Sequence, residues 1–323
     1  MSRFVISRFS QALILLVGVS LLSFAIMLLS PGGPTDIMIN TSLLSADEIA
    51  AIEVTLGLDQ PIPVQYWRWF TRVLQGDFGT SFQTGQPVLA MITERLPATL
   101  ALNLISMLLI YLIAIPAGVF AALRQNSLFD HCLTLIIFLG QAMPAFWLGL
   151  LLIYFVGLRV DWLALSGMAT IGVEFGQAPF FTWLGDRLRY MTLPVTVIVL
   201  TGLAPVARFM RASMLDVLNQ DYIRTARAKG LSEATVVWKH AFRNALMPII
   251  TMVGITFSIL LSGSVVIERV FSWPGVGLLA IDAILNRDYQ VVMAFNLIGA
   301  MMVVVGGILT DLLYLLVDPR IKY

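Results

Sequence analysis

Long stretches without a charged residue restrict this chain more than any other feature of its sequence. A helix needs about 20 apolar residues to cross a hydrocarbon core about 30 Å thick, where lipid-exposed backbone must satisfy its own hydrogen bonds. Six charge-free stretches reach or approach that length, and we expect each to form a transmembrane helix in an all-α membrane protein. They are residues 9–29, 96–123, 131–158, 190–207, 244–267 and 289–310.

The composition excludes several other classes of protein. Hydrophobic residues make up 59% of the 323 residues and charged residues 12%, against about 45–50% and 25% in soluble domains. A net charge of +1 gives no basic excess for binding nucleic acid. Cys132 is the single cysteine, and His131 and His240 stand far apart in the sequence. We therefore expect neither an internal disulfide nor a metal site.

The distribution of lysine and arginine sets the orientation. With a cytoplasmic N-terminus, 12 of these residues fall within 57 inside positions and only 8 within 118 outside positions. Because cytoplasmic loops carry the positive excess, we predict that both termini are cytoplasmic. The net charge of +1 then divides into +7 inside, −5 outside and −1 at Asp311 within the membrane. The inside segments are 1–8, 124–130, 208–243 and 318–323, and the outside segments are 30–95, 159–189 and 268–288.

We divide the chain into three parts. Residues 1–30 hold the N-terminal tail and the first span. We interpret that span as uncleaved, since its apolar run exceeds a signal-peptide core and no small-x-small cleavage site follows it. Residues 31–95 form a small extracytoplasmic helical insert. Residues 96–323 form a five-helix core that includes a cytoplasmic loop at 208–247.

The insert is predicted to contain three helices. Residues 45–48 form a capping box, and Gly57 can end the helix that they open. Residues 64–74 are rich in aromatic side chains, and 87–96 is the third candidate. Two interpretations stay open for 64–74: it belongs to a small folded outer cap, or it lies on the lipid headgroups.

Sharp stop signals bound a short helix in the cytoplasmic loop. Asp221 is predicted to cap the N-terminus of a helix at 222–229, and Gly230 is predicted to end it in the left-handed conformation. A basic loop of this kind has two interpretations. Its arginines serve only as topology signals and headgroup contacts, or the stopped helix is a knob that docks in a groove of another protein.

The faces of this short helix favour the docking interpretation. Tyr222, Ile223 and Ala226 share one face at i, i+1 and i+4. The small residues Ala226, Ala228 and Gly230 would let a partner backbone approach closely.

A longer amphipathic helix is predicted to follow, capped by Ser232 and running into the fifth span at Pro248. Its predicted apolar side carries Ala234, Val237, Trp238, Ala241, Phe242 and Ala245. Its polar side carries Lys239, His240, Arg243 and Asn244.

The same loop resembles a known family. The run 221–231, followed by 240–245 and Pro248, is similar to the cytoplasmic coupling loop of ABC-importer permeases of the dipeptide/oligopeptide/nickel family, and within it the first of the two permease subunits. The run consists of Asp221, Tyr222, Ile223, Arg224, Thr225, Ala226, Arg227, Ala228, Lys229, Gly230 and Leu231. The resemblance continues at residues 31–34, 56–61, 76–79, 271–277, 287–289, 311–314 and 318–320.

The sequence departs from the general importer motif of Glu-Ala-Ala, three residues and Gly. The Glu and first Ala positions hold Arg224 and Thr225, and only Ala226 and Gly230 match. Pro248 also stands 18 residues after the glycine, where the general motif has a proline about thirteen after it. These departures are typical of the peptide-family version of the loop.

The resemblance implies a type I importer permease fold with six spans. It also implies a sister permease subunit, two cytoplasmic ATPase subunits or domains that bind ATP and Mg, and an extracytoplasmic solute-binding protein. Residues 221–231 would then couple this chain to the ATPases in the bacterial inner membrane. Peptides are the expected cargo, with nickel complexes, glutathione and opines as alternatives.

This chain is not expected to be catalytic or to hold a cofactor. A nucleotide-binding loop needs Gly-Lys-Ser/Thr, and none of the three lysines, Lys229, Lys239 and Lys322, follows a glycine. A secondary transporter is the main rival class, but it would need ion sites near the midplane and usually shows internal repeats. A membrane enzyme and a receptor or scaffold without transport are the other rivals.

Three charged residues near the membrane are candidates for the translocation pathway or its gate. Asp311 is an acid inside an apolar run, for which snorkelling or pairing with a neighbouring basic residue is the favoured interpretation. Glu268 and Arg269 lie at the outer end of the fifth span. They either line the outer mouth or form an interfacial ion pair, and the ion pair is favoured.

Overall fold

The fold, seen in a computed structural model that describes residues 2–29, 59–173, 175–259 and 265–317, is built from helices. A π-helical segment, Val236–Ala241, lies between α8 and α9. In chain order the helices are α1 (Ser2–Leu29), α2 (Ile62–Leu74), α3 (Val88–Leu123), α4 (Leu128–Ala142), α5 (Ala145–Phe155), α6 (Phe180–Leu218), α7 (Asp221–Ala228), α8 (Glu233–Thr235), α9 (Phe242–Ala245), α10 (Met247–Ile259), α11 (Val265–Val270), α12 (Val276–Leu285) and α13 (Tyr289–Val317).

Four of these helices, α1, α3, α6 and α13, are long and apolar enough to cross a membrane. Helices α4 and α5 pass the same test together, although the chain bends by 105° between them. The bend falls at Met143 and Pro144, where the residue before a proline is driven into an extended conformation. The described residues therefore contain four or five candidate spans.

The predicted span at 244–267 is only partly described. Helix α10 covers 13 residues of it and ends where the described part of the chain is interrupted, at 260–264. Thirteen residues make a helix of about 20 Å, which is too short to cross the bilayer core alone. The six-span count thus goes beyond the described residues.

The outer insert differs from its predicted plan. Helix α2 is present, and Trp69 and Tyr66 pack against Phe24 of α1 with ring centroids 5.8 Å and 5.4 Å apart. Trp67 on the same helix stays 64% exposed. The aromatic helix is therefore attached to the bundle by one side, as the outer-cap interpretation requires.

The separate helix predicted at 87–96 is wrong. Helix α3 runs without interruption from Val88 to Leu123, so the boundary drawn between residues 95 and 96 falls inside one helix. Glu94 and Arg95 ended the charge-free stretch, but a helix can leave the hydrocarbon and continue in water. The capping box at 45–48 and Gly57 lie outside the described residues.

Close packing of α3 against α6 forms the centre of the main core. A Cβ atom added at Gly118 of α3 would lie 2.7 Å from both the Ala207 carbonyl oxygen and the Met210 Cβ of α6. Met210 and Met214 are fully buried and continue this core toward the cytoplasmic loop. A second core joins α1, α2, α12 and α13.

We predict that Gly118→Ala lowers the melting temperature of the protein in detergent, because the methyl group has no room against the α6 backbone. Overpacking of this kind costs about 1–3 kcal/mol. The matched control is Gly185→Ala in α6, where an added Cβ meets nothing within 4 Å and the helix should be unchanged or stabilised. Equal melting temperatures for the two variants would contradict the close α3–α6 contact.

Candidate functional site

The short helix of the cytoplasmic loop, α7, turns its apolar face toward its own chain. Ile223 is 0% exposed and Ala226 is 7% exposed, and both belong to the core that contains Met214 and Val236. The prediction that Ala226 offers a close approach to a partner backbone is therefore wrong. Tyr222 is 44% exposed at the edge of this face.

The end of α7 is built as predicted. Gly230 has a φ of +75°, the left-handed conformation that glycine adopts without a Cβ penalty. The Gly230 N–H donates to the Arg227 carbonyl at 2.9 Å, and the Leu231 N–H donates to the Ala226 carbonyl at 3.4 Å. This pair of bonds is the Schellman motif, which satisfies the last carbonyls of a helix.

The start of α7 is not built as predicted. The capping position belongs to Gln220, whose side chain makes no capping hydrogen bond. Asp221 is the first helical residue, and its carboxylate lies 3.4 Å from Arg224. An acid here still stabilises the positive end of the helix dipole, but it does so by charge and not by capping a backbone N–H.

The long amphipathic helix predicted after α7 is interrupted by the π-helical segment. Ser232 does cap its start, accepting from the Thr235 N–H at 3.4 Å. The wider π turn then changes which side chains face inward. Val237, Ala241 and Ala245 are buried as expected, but Trp238 is 47% exposed. Ala234 is exposed as well, and Val236 takes an inward position that the 3.6-residue period did not predict.

Polar contacts join α7 to the segment that leads into α10. Asn244 donates its side-chain N–H to the Tyr222 hydroxyl at 2.8 Å. Arg227 donates two hydrogen bonds to Glu233, at 2.7 and 3.1 Å, and these lower the pKa of the Glu233 carboxyl. The Ser213 hydroxyl of α6 donates to the Ala245 carbonyl at 2.9 Å.

The loop thus presents one outward face on a fixed base. The exposed residues of α7 and its stop combine one aromatic ring, small residues and two cations, and most of them lie opposite Ile223. They are Tyr222, Arg224, Thr225, Ala228, Lys229 and Leu231.

Glu268 is a buried structural carboxylate. It is 0% exposed, and it accepts from the Thr99 hydroxyl at 3.0 Å and from the Leu278 N–H at 2.9 Å. The Thr99 oxygen accepts in turn from the Val276 N–H at 2.8 Å. Together, Glu268 of α11 and Thr99 of α3 bind the first N–H groups of α12, where the helix dipole favours negative charge.

The expected Glu268–Arg269 ion pair is wrong. Arg269 points away and pairs with Asp282 of α12 at 3.0 Å, where both side chains are exposed. Asp311, by contrast, pairs with Arg8 at 2.5 Å across α13 and α1. This contact confirms the favoured interpretation of an acid held by a basic neighbour.

Sequence reasoning missed a second polar link at the other end of the bundle. Asp130, 2% exposed at the start of α4, accepts two hydrogen bonds from Arg211 of α6 at 2.6 and 2.7 Å. The two residues are 81 positions apart and each follows or precedes a charge-free stretch as an ordinary flanking charge. Nothing in their spacing indicates the pairing.

We predict that Thr99→Val destabilises the outer end of the bundle by about 1–3 kcal/mol, because the change leaves a buried acceptor and a buried N–H without their partner. Thermal unfolding in detergent measures the loss. The control is Thr93→Val on the same helix, since the exposed Thr93 hydroxyl bonds only to the carbonyls of Leu89 and Ala90. A Thr99→Val protein as stable as the control would mean that Thr99 does not hold α12.

Comparison with known proteins covers the whole chain. Residues 114–323 match the family described as "Binding-protein-dependent transport system inner membrane component", and residues 1–103 match the N-terminal family of the same transport systems. The chain is 43% identical, over the full length of both proteins, to the oligopeptide transport system permease protein AppB of Bacillus subtilis. It is 38% identical to the di/tripeptide transport system permease protein DppB of Pseudomonas aeruginosa, over 100% of this chain and 99% of the relative.

Proposed function

Because the chain belongs to the family of binding-protein-dependent transport system inner membrane components, we propose that it is the peptide-carrying permease subunit of an ATP-driven importer. Its full-length identity to permeases named for oligopeptides and for di- and tripeptides carries the proposal. Membership in this family also removes the support for a secondary transporter. The chain is a non-catalytic component that works with separate energy-coupling subunits.

The proposed topology has six spans with both termini in the cytoplasm. The five candidate spans of the described residues support it, and residues 244–267 with α10 supply the sixth. The positive excess of the short inside loops supports the orientation. The partners are a sister permease, two ATPase subunits that bind ATP and Mg, and an extracytoplasmic solute-binding protein.

In this proposal, residues 221–231 contact the ATPase through the outward face of α7. Closure of the ATPases around ATP moves α7 as a rigid lever, and the π-helical segment passes the motion to α10. The burial of Ile223 and the Tyr222–Asn244 hydrogen bond support a lever that is fixed to its base. The ATPase state then sets the balance between inward-open and outward-open forms through a difference in contact energy.

The three charged candidates take different parts. Glu268 and Asp311 hold helices together from buried positions. Arg269, which is 54% exposed in its ion pair with Asp282, remains the candidate for the outer mouth.

We predict that Gly230→Val uncouples ATP hydrolysis from uptake while the protein stays in the membrane. A left-handed φ costs an L-residue about 1–2 kcal/mol, enough to shift the helix end by about five- to thirtyfold toward other conformations. Uptake and ATP hydrolysis measured together in proteoliposomes give the number of substrates moved per ATP, and this ratio should fall.

The control is Gly230→Asn, because asparagine tolerates the left-handed conformation. An added Cβ at this position meets nothing within 4 Å, so the two variants differ in backbone strain and not in a steric clash. Normal coupling in Gly230→Val, at normal expression, would show that the stop of α7 has no part in energy transfer.

The cargo is tested with the complete importer reconstituted from both permeases, the ATPases and the solute-binding protein. We expect ATP-dependent accumulation of labelled di- to oligopeptides in proteoliposomes. Accumulation of a nickel complex, glutathione or an opine in place of peptides would reject the peptide assignment and keep the permease assignment. Binding assays on the isolated solute-binding protein should give the same order of preference.

A further inference from the structure

Helices α1 and α13 run antiparallel with a groove between them. Arg8 pairs with Asp311 at one end, and the Asn296 amide donates to the Ser23 hydroxyl, at 3.4 Å, further along. Each of these contacts is displaced by 15 residues on both helices, so the two helices stay in register over about 22 Å. The groove opens beside the Arg8–Asp311 pair.

The ion pair makes one end of this groove cationic. The Asp311 side chain is 9% exposed and lies beneath, whereas the Arg8 side chain is 42% exposed and lines the groove. Gln11, which accepts from Arg8 at 3.2 Å, lines it as well. Arg8 is the first residue of the candidate span Arg8–Leu29. Its guanidinium therefore lies at the level where lipid phosphates meet the hydrocarbon.

The other end of the groove is apolar and reaches into the membrane. Leu15 of α1 and Val304 of α13 line it seven residues beyond Arg8 and Asp311, which places them about 10 Å deeper. Gly307 lies between these levels, and a Cβ added there would meet nothing within 4 Å. The groove therefore has open space along its apolar wall.

We propose that this groove binds a phospholipid of the cytoplasmic leaflet, with its phosphate on Arg8 and one acyl chain lying over Gly307. Charge complementarity favours a phospholipid over a purely apolar occupant, because the groove joins an exposed cation at headgroup depth to an apolar channel below it. The inference depends on the cytoplasmic N-terminus of the proposed function, since only that orientation places Arg8 in the inner leaflet.

The test compares two glycine variants of the complete importer purified in detergent. Gly307→Leu fills the groove, whereas Gly18→Leu adds the same side chain at an exposed glycine of α1 where a Cβ also meets nothing within 4 Å. Native mass spectrometry measures binding of added 1-palmitoyl-2-oleoyl phosphatidylglycerol. Losing the contact of two acyl methylene groups corresponds to about tenfold weaker binding, which we expect for Gly307→Leu and not for Gly18→Leu. Equal binding by both variants would overturn the proposal.

A second comparison separates phosphate recognition from filling by any apolar chain. Arg8→Gln should weaken binding of the phosphatidylglycerol, while binding of 1-palmitoyl-2-oleoylglycerol, which has no phosphate, should be weak in both proteins. Tight binding of the phosphate-free lipid would reject the role of Arg8. A disulfide between Ala12→Cys and the sister permease, formed with no lipid bound, would assign the groove to that subunit and reject the lipid.

Failure of the lipid site can be told apart from failure of the proposed function. Labelling of a cysteine placed at Ser2 by a membrane-impermeant reagent reports the side on which the N-terminus lies. A cytoplasmic N-terminus with normal uptake but no lipid binding rejects this inference alone. An outside N-terminus would reject the proposed topology as well.

Discussion

The need to satisfy every buried polar group organises this bundle. Within the hydrocarbon the backbone is satisfied by helices, and the helix ends and charged side chains that remain must find partners among themselves. Glu268 and Thr99 show the result at one end of the bundle, where two side chains from different helices bind the first N–H groups of α12. Asp130 with Arg211, and Asp311 with Arg8, do the same for charges that flank spans. Polar contacts therefore decide which helices are tied together, while apolar packing supplies the bulk of the contact.

The same constraint explains why α7 is suited to transmit force. A helix of eight residues has little stability of its own, so its shape depends on what holds it. Ile223 and Ala226 sink into the core beside Met214, the Schellman bonds close its end, and Asn244 holds Tyr222. A push on the exposed side of such a helix reaches α6 and the π-helical segment without first being absorbed by a loose loop. The outward face is then free to carry specificity for the partner.

Sequence alone predicted the parts of this molecule that follow from local rules. Charge-free length located α1, α3, α6 and α13, because membrane insertion depends on a sum over about 20 residues. The positive φ of Gly230 and the cap at Ser232 followed from side-chain chemistry at single positions. The missed features depend on residues far apart in the chain. The π turn, the Asp130–Arg211 pair and the capping of α12 by Glu268 are settled by tertiary packing, which periodicity over a few turns does not contain.

The inward orientation of Ile223 follows from a competition that the sequence pattern left open. An apolar stripe on a short cytoplasmic helix can be buried by the chain's own core or by another protein, and both would produce the same spacing. The π-helical segment decides between them here, because its wide turn brings Val236 and Val237 together beneath α7. Once that apolar surface is buried within the chain, the face left for a partner is polar, basic and small-sided. Recognition by the ATPase then depends on shape and charge, and the hydrophobic contact is kept for holding the lever to the bundle.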